Sequence, residues 1–174
     1  MNLPNTITLV RVLLIPFFIG LLIYGYVRSA CAVFVAACIT DALDGTIARL
    51  TNTKTELGAF LDPMADKLLI VSSFMTLAIL ERIPVWLVIS VVSRDVILAL
   101  GSMVITFTGH DLSIRPSIIG KMTTFLQFAV VSLTLVFMAY GMPHGSLEWL
   151  YGATAAFTVA SGVQYVVRGM KLMA

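Results

Sequence analysis

Apolar residues run along this chain in six long blocks, separated by short junctions rich in polar residues, glycine or proline. The blocks cover about 7–27, 30–50, 60–81, 84–108, 117–140 and 147–168. Runs of about 18 or more apolar residues are long enough to cross a bilayer as helices. Breakers stand where such helices should stop, at Ile83-Pro84, Gly109-His110, Arg115-Pro116 and the run from Gly141 to Gly145. The pattern predicts an all-α, polytopic membrane protein with six transmembrane helices, and a single membrane domain over residues 1–174.

Composition agrees with the pattern. Hydrophobic residues make up 59% of the chain and charged residues 11%, against roughly 45–50% and 25% in soluble domains. A net charge of +2 is too small to argue for a nucleic-acid partner. Cys31 and Cys38 lie on one face of the second block and read as small buried thiols rather than a disulfide or metal pair. The opening MNLPNTITLV lacks a basic stretch, and no small-residue cleavage site follows the first block, so that segment is expected to be retained. His110 and His144 fall in predicted loops and read as solvated residues.

Lysine and arginine placement sets an orientation. One side collects Arg49, Lys54, Arg115, Lys121, Arg168 and Lys171, and the other only Arg28 and Arg82. The positive-inside rule then puts both termini in the cytoplasm. Arg11, Lys67 and Arg94 are left inside or at the edge of apolar blocks. Snorkelling explains such residues in part, but an intramembrane charge is otherwise a candidate functional group.

The polar exception is the stretch DALDGTIARLTNTKTELGAFLDPMAD at 41–66. It holds Asp41, Asp44, Asp62 and Asp66, four of the chain's nine acidic residues. Asp41 and Asp44 share a helix face, as do Asp62 and Asp66. Both helices lead into the same loop, so the two pairs start close together at the predicted cytoplasmic border. Four carboxylates in a partly dry place repel one another unless protons or cations intervene. Oxygen ligands in this number suit hard divalent ions such as magnesium, manganese or calcium. Gly45, Ala48 and Gly58 leave room for a bulky group against the helices, and Arg49 brings a fork suited to phosphate oxygens. Metal-binding carboxylates, a phosphate-binding arginine and cleared space together indicate a metal-bound phosphate ester. Asp62-Pro63 also fits a helix N-cap, but capping leaves the other three aspartates unexplained.

The stretch resembles the signature of the CDP-alcohol phosphatidyltransferase family, D-x2-D-G-x2-A-R, eight residues, then G-x3-D-x3-D. Asp41, Asp44, Gly45, Ala48, Arg49, Gly58, Asp62 and Asp66 fill every fixed position. The resemblance implies six membrane helices, a homodimer, and an active site facing the cytoplasm from the inner (cytoplasmic) membrane. It also implies transfer of a phosphatidyl group from CDP-diacylglycerol to an alcohol, with release of CMP. Two divalent ions, Mg2+ or Mn2+, would be held by Asp41, Asp44, Asp62 and Asp66, with Asp66 a ligand or the base that deprotonates the acceptor. Asp44, Gly45, Ala48, Arg49 and Gly58 would border the CDP group.

The acceptor is read from weaker resemblances. NLPNTITLVRVLLIPFF and GKMTTFLQ resemble the bacterial phosphatidylglycerophosphate synthases, which implies that Lys54, Arg94 and Lys121 bind the phosphate of glycerol 3-phosphate. Asp95 and Thr123 depart from that pattern, where a glutamate and a lysine are usual. IPVWLVISVVSRDVI resembles the eukaryotic-type cardiolipin synthases, whose acceptor is phosphatidylglycerol. Glycerol 3-phosphate is expected first. A divalent-cation transporter is the rival class, but acids gathered at one border beside an arginine do not form a cation path.

Overall fold

A computed structural model describes the backbone of residues 3–50, 56–107 and 117–173, and the side chains of 8–40, 64–104, 117–143 and 145–170. It contains six α-helices, and no strand occurs among the described residues: α1 (Leu3–Ile23), α2 (Val27–Leu50), α3 (Glu56–Ile79), α4 (Val85–Phe107), α5 (Ile118–Tyr140) and α6 (Glu148–Met173). A single turn of 3-10 helix (His144–Leu147) precedes α6. The six predicted blocks therefore match six helices. Among the described residues, two stretches are long and apolar enough to cross a membrane, Val85–Val104 and Ile118–Tyr140. Shorter apolar segments occupy Thr8–Ile23 and Val27–Thr40.

Helix ends follow backbone chemistry. Gly25 has φ +80°, the Tyr26 N–H donates to the Leu21 carbonyl at 2.8 Å and the Gly25 N–H to Leu22 at 3.1 Å. That pair of bonds closes the end of a helix through a left-handed residue, usually glycine. Gly141 (φ 66°) ends α5 the same way, with Met142 N–H on Phe137. Glu81 takes the corresponding place after α3 with φ 57°, and Arg82 N–H donates to Leu77 at 2.8 Å. Pro84 then blocks any continuation of α3.

The helices form two compact units. The first comprises Met1–Arg82 and Val131–His144. Here α1 packs on both α2 and α3. Its buried residues, Thr8, Arg11, Ile15, Phe18 and Leu22, recur at alternating spacings of three and four, the interval that keeps one helical face inward. Phe18 meets Phe34 of α2 with ring centroids 5.7 Å apart. Ala30 and Ala37, one on each side of Phe34, are also fully buried; small residues let helix backbones approach closely. Ser73 and Thr76 of α3 donate to carbonyls one turn back, at 2.6 and 2.8 Å, which satisfies hydroxyls without a partner helix.

The second unit comprises Ile83–Val130 and Gly145–Ala174. In it α4 packs on α6. Gly101 is the tight point: a Cβ there would lie 2.8 Å from Tyr165 Cε1. The first part of α5 joins α6 through Thr123, whose buried hydroxyl lies 2.9 Å from the Ile119 carbonyl and 3.0 Å from that of Phe157.

Candidate active site

The acidic signature spans the end of α2 and the start of α3. Asp41, Asp44, Gly45, Ala48 and Arg49 lie on α2, and Gly58, Asp62 and Asp66 on α3. The side chains of Asp41, Asp44, Ala48, Arg49 and Asp62 lie outside the described residues, as does Lys54 altogether. Asp66 is the member of the quartet whose carboxylate is described.

Asp66 Oδ1 accepts a hydrogen bond from Arg11 Nη1 at 3.1 Å, joining α3 to α1. The two ends differ sharply in exposure, 1% for Arg11 and 34% for the Asp66 side chain. Arg11 reaches this place because it occupies the inward row of α1, one turn from Thr8 and one from Ile15. A buried charge requires a partner, or the loss of hydration goes uncompensated. The sequence marks Arg11 as a cation within an apolar block but does not show what it meets, since the contact closes across 55 residues. Lys67, beside Asp66, is exposed.

Arg94 lies near the middle of α4 and is embedded in the second unit. Its Nη1 donates to Asp95 Oδ1 at 2.7 Å and its Nη2 to Ser161 Oγ of α6 at 3.1 Å. The start of α5 is close by. Ser117 caps that helix, accepting from the Gly120 N–H at 3.0 Å. A Cβ on Gly120 would lie 3.7 Å from both Arg94 Nη2 and Ser161 Oγ. Lys121 follows Gly120 and is exposed. Arg94 and the start of α5 thus lie close together. Sequence reasoning does not single out Ser117 or Ser161. A serine just ahead of an apolar block is a legible capping signal for Ser117, whereas Ser161 carries no local signal at all.

Aspartate carboxylates are hard oxygen donors, the chemistry that suits divalent ions of the magnesium type. No group of three metal-capable side chains gathers among the described residues, of which Asp66 is the one member of the quartet. Its Oδ1 accepts from Arg11, and its side chain is 34% exposed.

Comparison with known proteins connects these features. The family model for CDP-alcohol phosphatidyltransferase matches residues 1–163. The probable phosphatidylglycerophosphate synthase of Mycobacterium tuberculosis is 35% identical over 177 residues, covering 98% of this chain and 82% of its own length. The CDP-diacylglycerol--glycerol-3-phosphate 3-phosphatidyltransferase of Bacillus subtilis is 33% identical, over 94% of this chain and 93% of its own. A human cardiolipin synthase (CMP-forming) is 32% identical, over 98% of this chain and 62% of its own. Enzymes of this family use CDP-diacylglycerol and an alcohol acceptor and are generally dependent on divalent metal. With a match running from residue 1 to 163 and every fixed position of the acidic signature filled, the chain belongs to the CDP-alcohol phosphatidyltransferase family.

Proposed function

We propose that this chain transfers the phosphatidyl group of CDP-diacylglycerol to glycerol 3-phosphate and releases CMP. The observation that carries the reading is the complete eight-position signature on α2 and α3. The names of the Mycobacterium and Bacillus relatives support the choice of acceptor.

In this reading Asp41, Asp44, Asp62 and Asp66 hold two divalent ions, Mg2+ or Mn2+. Such ions, when bound, offset charge on the diphosphate oxygens and on the departing phosphate. Gly45, Ala48 and Gly58 leave space for the cytidine and diphosphate, and Asp44 and Arg49 bind them. The acceptor hydroxyl oxygen forms a bond to the phosphorus that carries diacylglycerol. The anhydride bond to that phosphorus breaks, and its electron pair leaves with CMP. Asp66 takes the hydroxyl proton, which requires an ionised carboxylate within hydrogen-bond reach. Lys54, Arg94 and Lys121 are assigned to offsetting the acceptor's phosphate charge.

The reading places the chain in the inner membrane as six spanning helices, with residues 1–174 as one membrane domain, a cytoplasmic active site and a homodimeric state. Helix length and apolar character in α4 and α5 support it. A second reading, cardiolipin synthesis with phosphatidylglycerol as acceptor, is favoured by one observation. Arg94 is already paired with Asp95, so it brings less net positive charge, which suits a monoanionic acceptor better than a dianionic one.

CMP release in detergent, with each acceptor offered separately, tests the choice. Turnover with glycerol 3-phosphate and not phosphatidylglycerol is expected. The reverse preference establishes the second reading, and no CMP with any acceptor removes both.

A further inference from the structure

We infer that Arg11 is a positioning residue for the reaction, holding the Asp66 carboxylate in the orientation from which it takes the acceptor proton. The inference rests on Asp66 serving as the base in the proposed function.

Arg11 is among the largest fully buried side chains of the described residues. It sits in the inward row of α1 with Thr8, Ile15, Phe18 and Leu22, the other buried residues of that helix among those described. A guanidinium in such a row is a poor way to gain stability. Removing both ends of a buried ion pair in favour of apolar residues is often neutral or stabilising, whereas removing one end is costly. What the pair does provide is direction. The Arg11 Nη1 contact at 3.1 Å fixes Asp66 Oδ1, while the Asp66 side chain stays 34% exposed. The carboxylate is therefore held by Arg11 while its side chain keeps partial exposure, and a positioned base needs both a fixed direction and access.

The choice of arginine has a second consequence. A guanidinium is a planar cation that donates hydrogen bonds and accepts none. It supplies permanent positive charge to the last aspartate of an acidic signature whose carboxylates otherwise repel one another. Asp66 thereby keeps a cationic neighbour that neither binds nor leaves with substrate or metal. In the proton-transfer step the acceptor O–H proton moves to the Asp66 carboxylate and the freed oxygen bonds to phosphorus. Arg11 gains and loses no proton in this step, and acts on it through where Asp66 points.

The test uses the full-length chain in detergent, with Arg11→Gln and Arg11→Lys beside wild type. Three quantities are read: kcat and KM for CDP-diacylglycerol in CMP release, and Mn2+ affinity of the resting protein by electron paramagnetic resonance. Misplacing a reacting group by about 1 Å costs on the order of 100-fold. R11Q should therefore lose about 100-fold in kcat, with KM within about threefold of wild type and a loss of Mn2+ affinity far smaller than the loss in kcat, since the other three aspartates do not depend on Arg11. R11K, which keeps the charge but not the planar fork, should fall between, about tenfold below wild type. Wild-type kcat in R11Q overturns the inference, and so does Mn2+ affinity that falls in step with kcat. If R11Q does not fold, R11K decides: intermediate kcat with unchanged KM and a smaller change in Mn2+ affinity than in kcat supports the inference, and wild-type kcat overturns it. Failure of the wild-type chain to release CMP with any acceptor removes the proposed function itself, a result distinct from an active wild type with an equally active R11Q.

Discussion

Arg94 and Asp95 are consecutive on α4, yet their side chains meet in a 2.7 Å ion pair, both nearly buried at 10% and 13% exposure. Consecutive residues on a helix point about 100° apart and do not ordinarily face each other. The long arginine side chain turns back to its neighbour while its other amino group reaches Ser161. The pair is the second unit's way of keeping a cation inside apolar helices.

A stability pattern follows from that burial. Asp95→Ala leaves Arg94 charged and short of its acid partner, and should destabilise the protein by about 3 kcal/mol. Replacing both residues by apolar ones, Arg94→Met with Asp95→Leu, should recover most of the loss. Thermal unfolding of the detergent-solubilised protein measures both. Equal damage in the single and double variants would show that the ion pair is not what the single variant disturbs.

Lys121 offers a cleaner probe of the acceptor, because it is exposed and removing it disturbs no packing. Loss of a charge-assisted contact to phosphate is worth about 1.5–3 kcal/mol, or roughly 10–100-fold. Lys121→Gln should raise KM for glycerol 3-phosphate by about tenfold, while KM for CDP-diacylglycerol and the unfolding temperature stay put. An unchanged acceptor KM removes Lys121 from the acceptor site.

Two backbone positions give predictions of opposite sign. Gly101→Ala drives a methyl to 2.8 Å from the Tyr165 ring, and overpacking of this kind costs about 1–3 kcal/mol. Adding Tyr165→Leu should relieve most of it. Glu81 holds a left-handed conformation that costs a side-chain-bearing residue about 1–2 kcal/mol. Part of that gain returns as unfolded-chain entropy, so Glu81→Gly should stabilise by about 0.5–1 kcal/mol. A lower unfolding temperature in E81G would contradict the helix-end geometry.

Much of this molecule is legible in its amino-acid sequence. Six apolar blocks become six helices because block length and breakers are local properties, and Pro84 and Gly141 stand just where α3 and α5 have finished. Glu81 escapes such a reading, since the left-handed end of α3 falls on a residue with no glycine signal. The acidic signature is visible as spacing alone. Arg11 is not assigned by spacing, because its partner is fixed only once α1 packs on α3. Its place in the buried row Thr8, Arg11, Ile15, Phe18, Leu22 also emerges only from packing, since nearly every position of that block is apolar. Arg94 is marked by its depth in an apolar block, but Ser161 joins it from 67 residues away. Local chemistry is written in the sequence, and contacts between helices are not.

The central claim is that the aspartates of α2 and α3 carry metal-assisted phosphatidyl transfer, with Asp66 as the base. The most direct measurement is CMP release from CDP-diacylglycerol and glycerol 3-phosphate by wild type and Asp66→Asn, each after exhaustive chelation and again after Mg2+ or Mn2+ is restored. Wild type should be silent when chelated and active when metal returns, with D66N at background in both states. Undiminished release from chelated wild type, or wild-type turnover by D66N, would contradict the account.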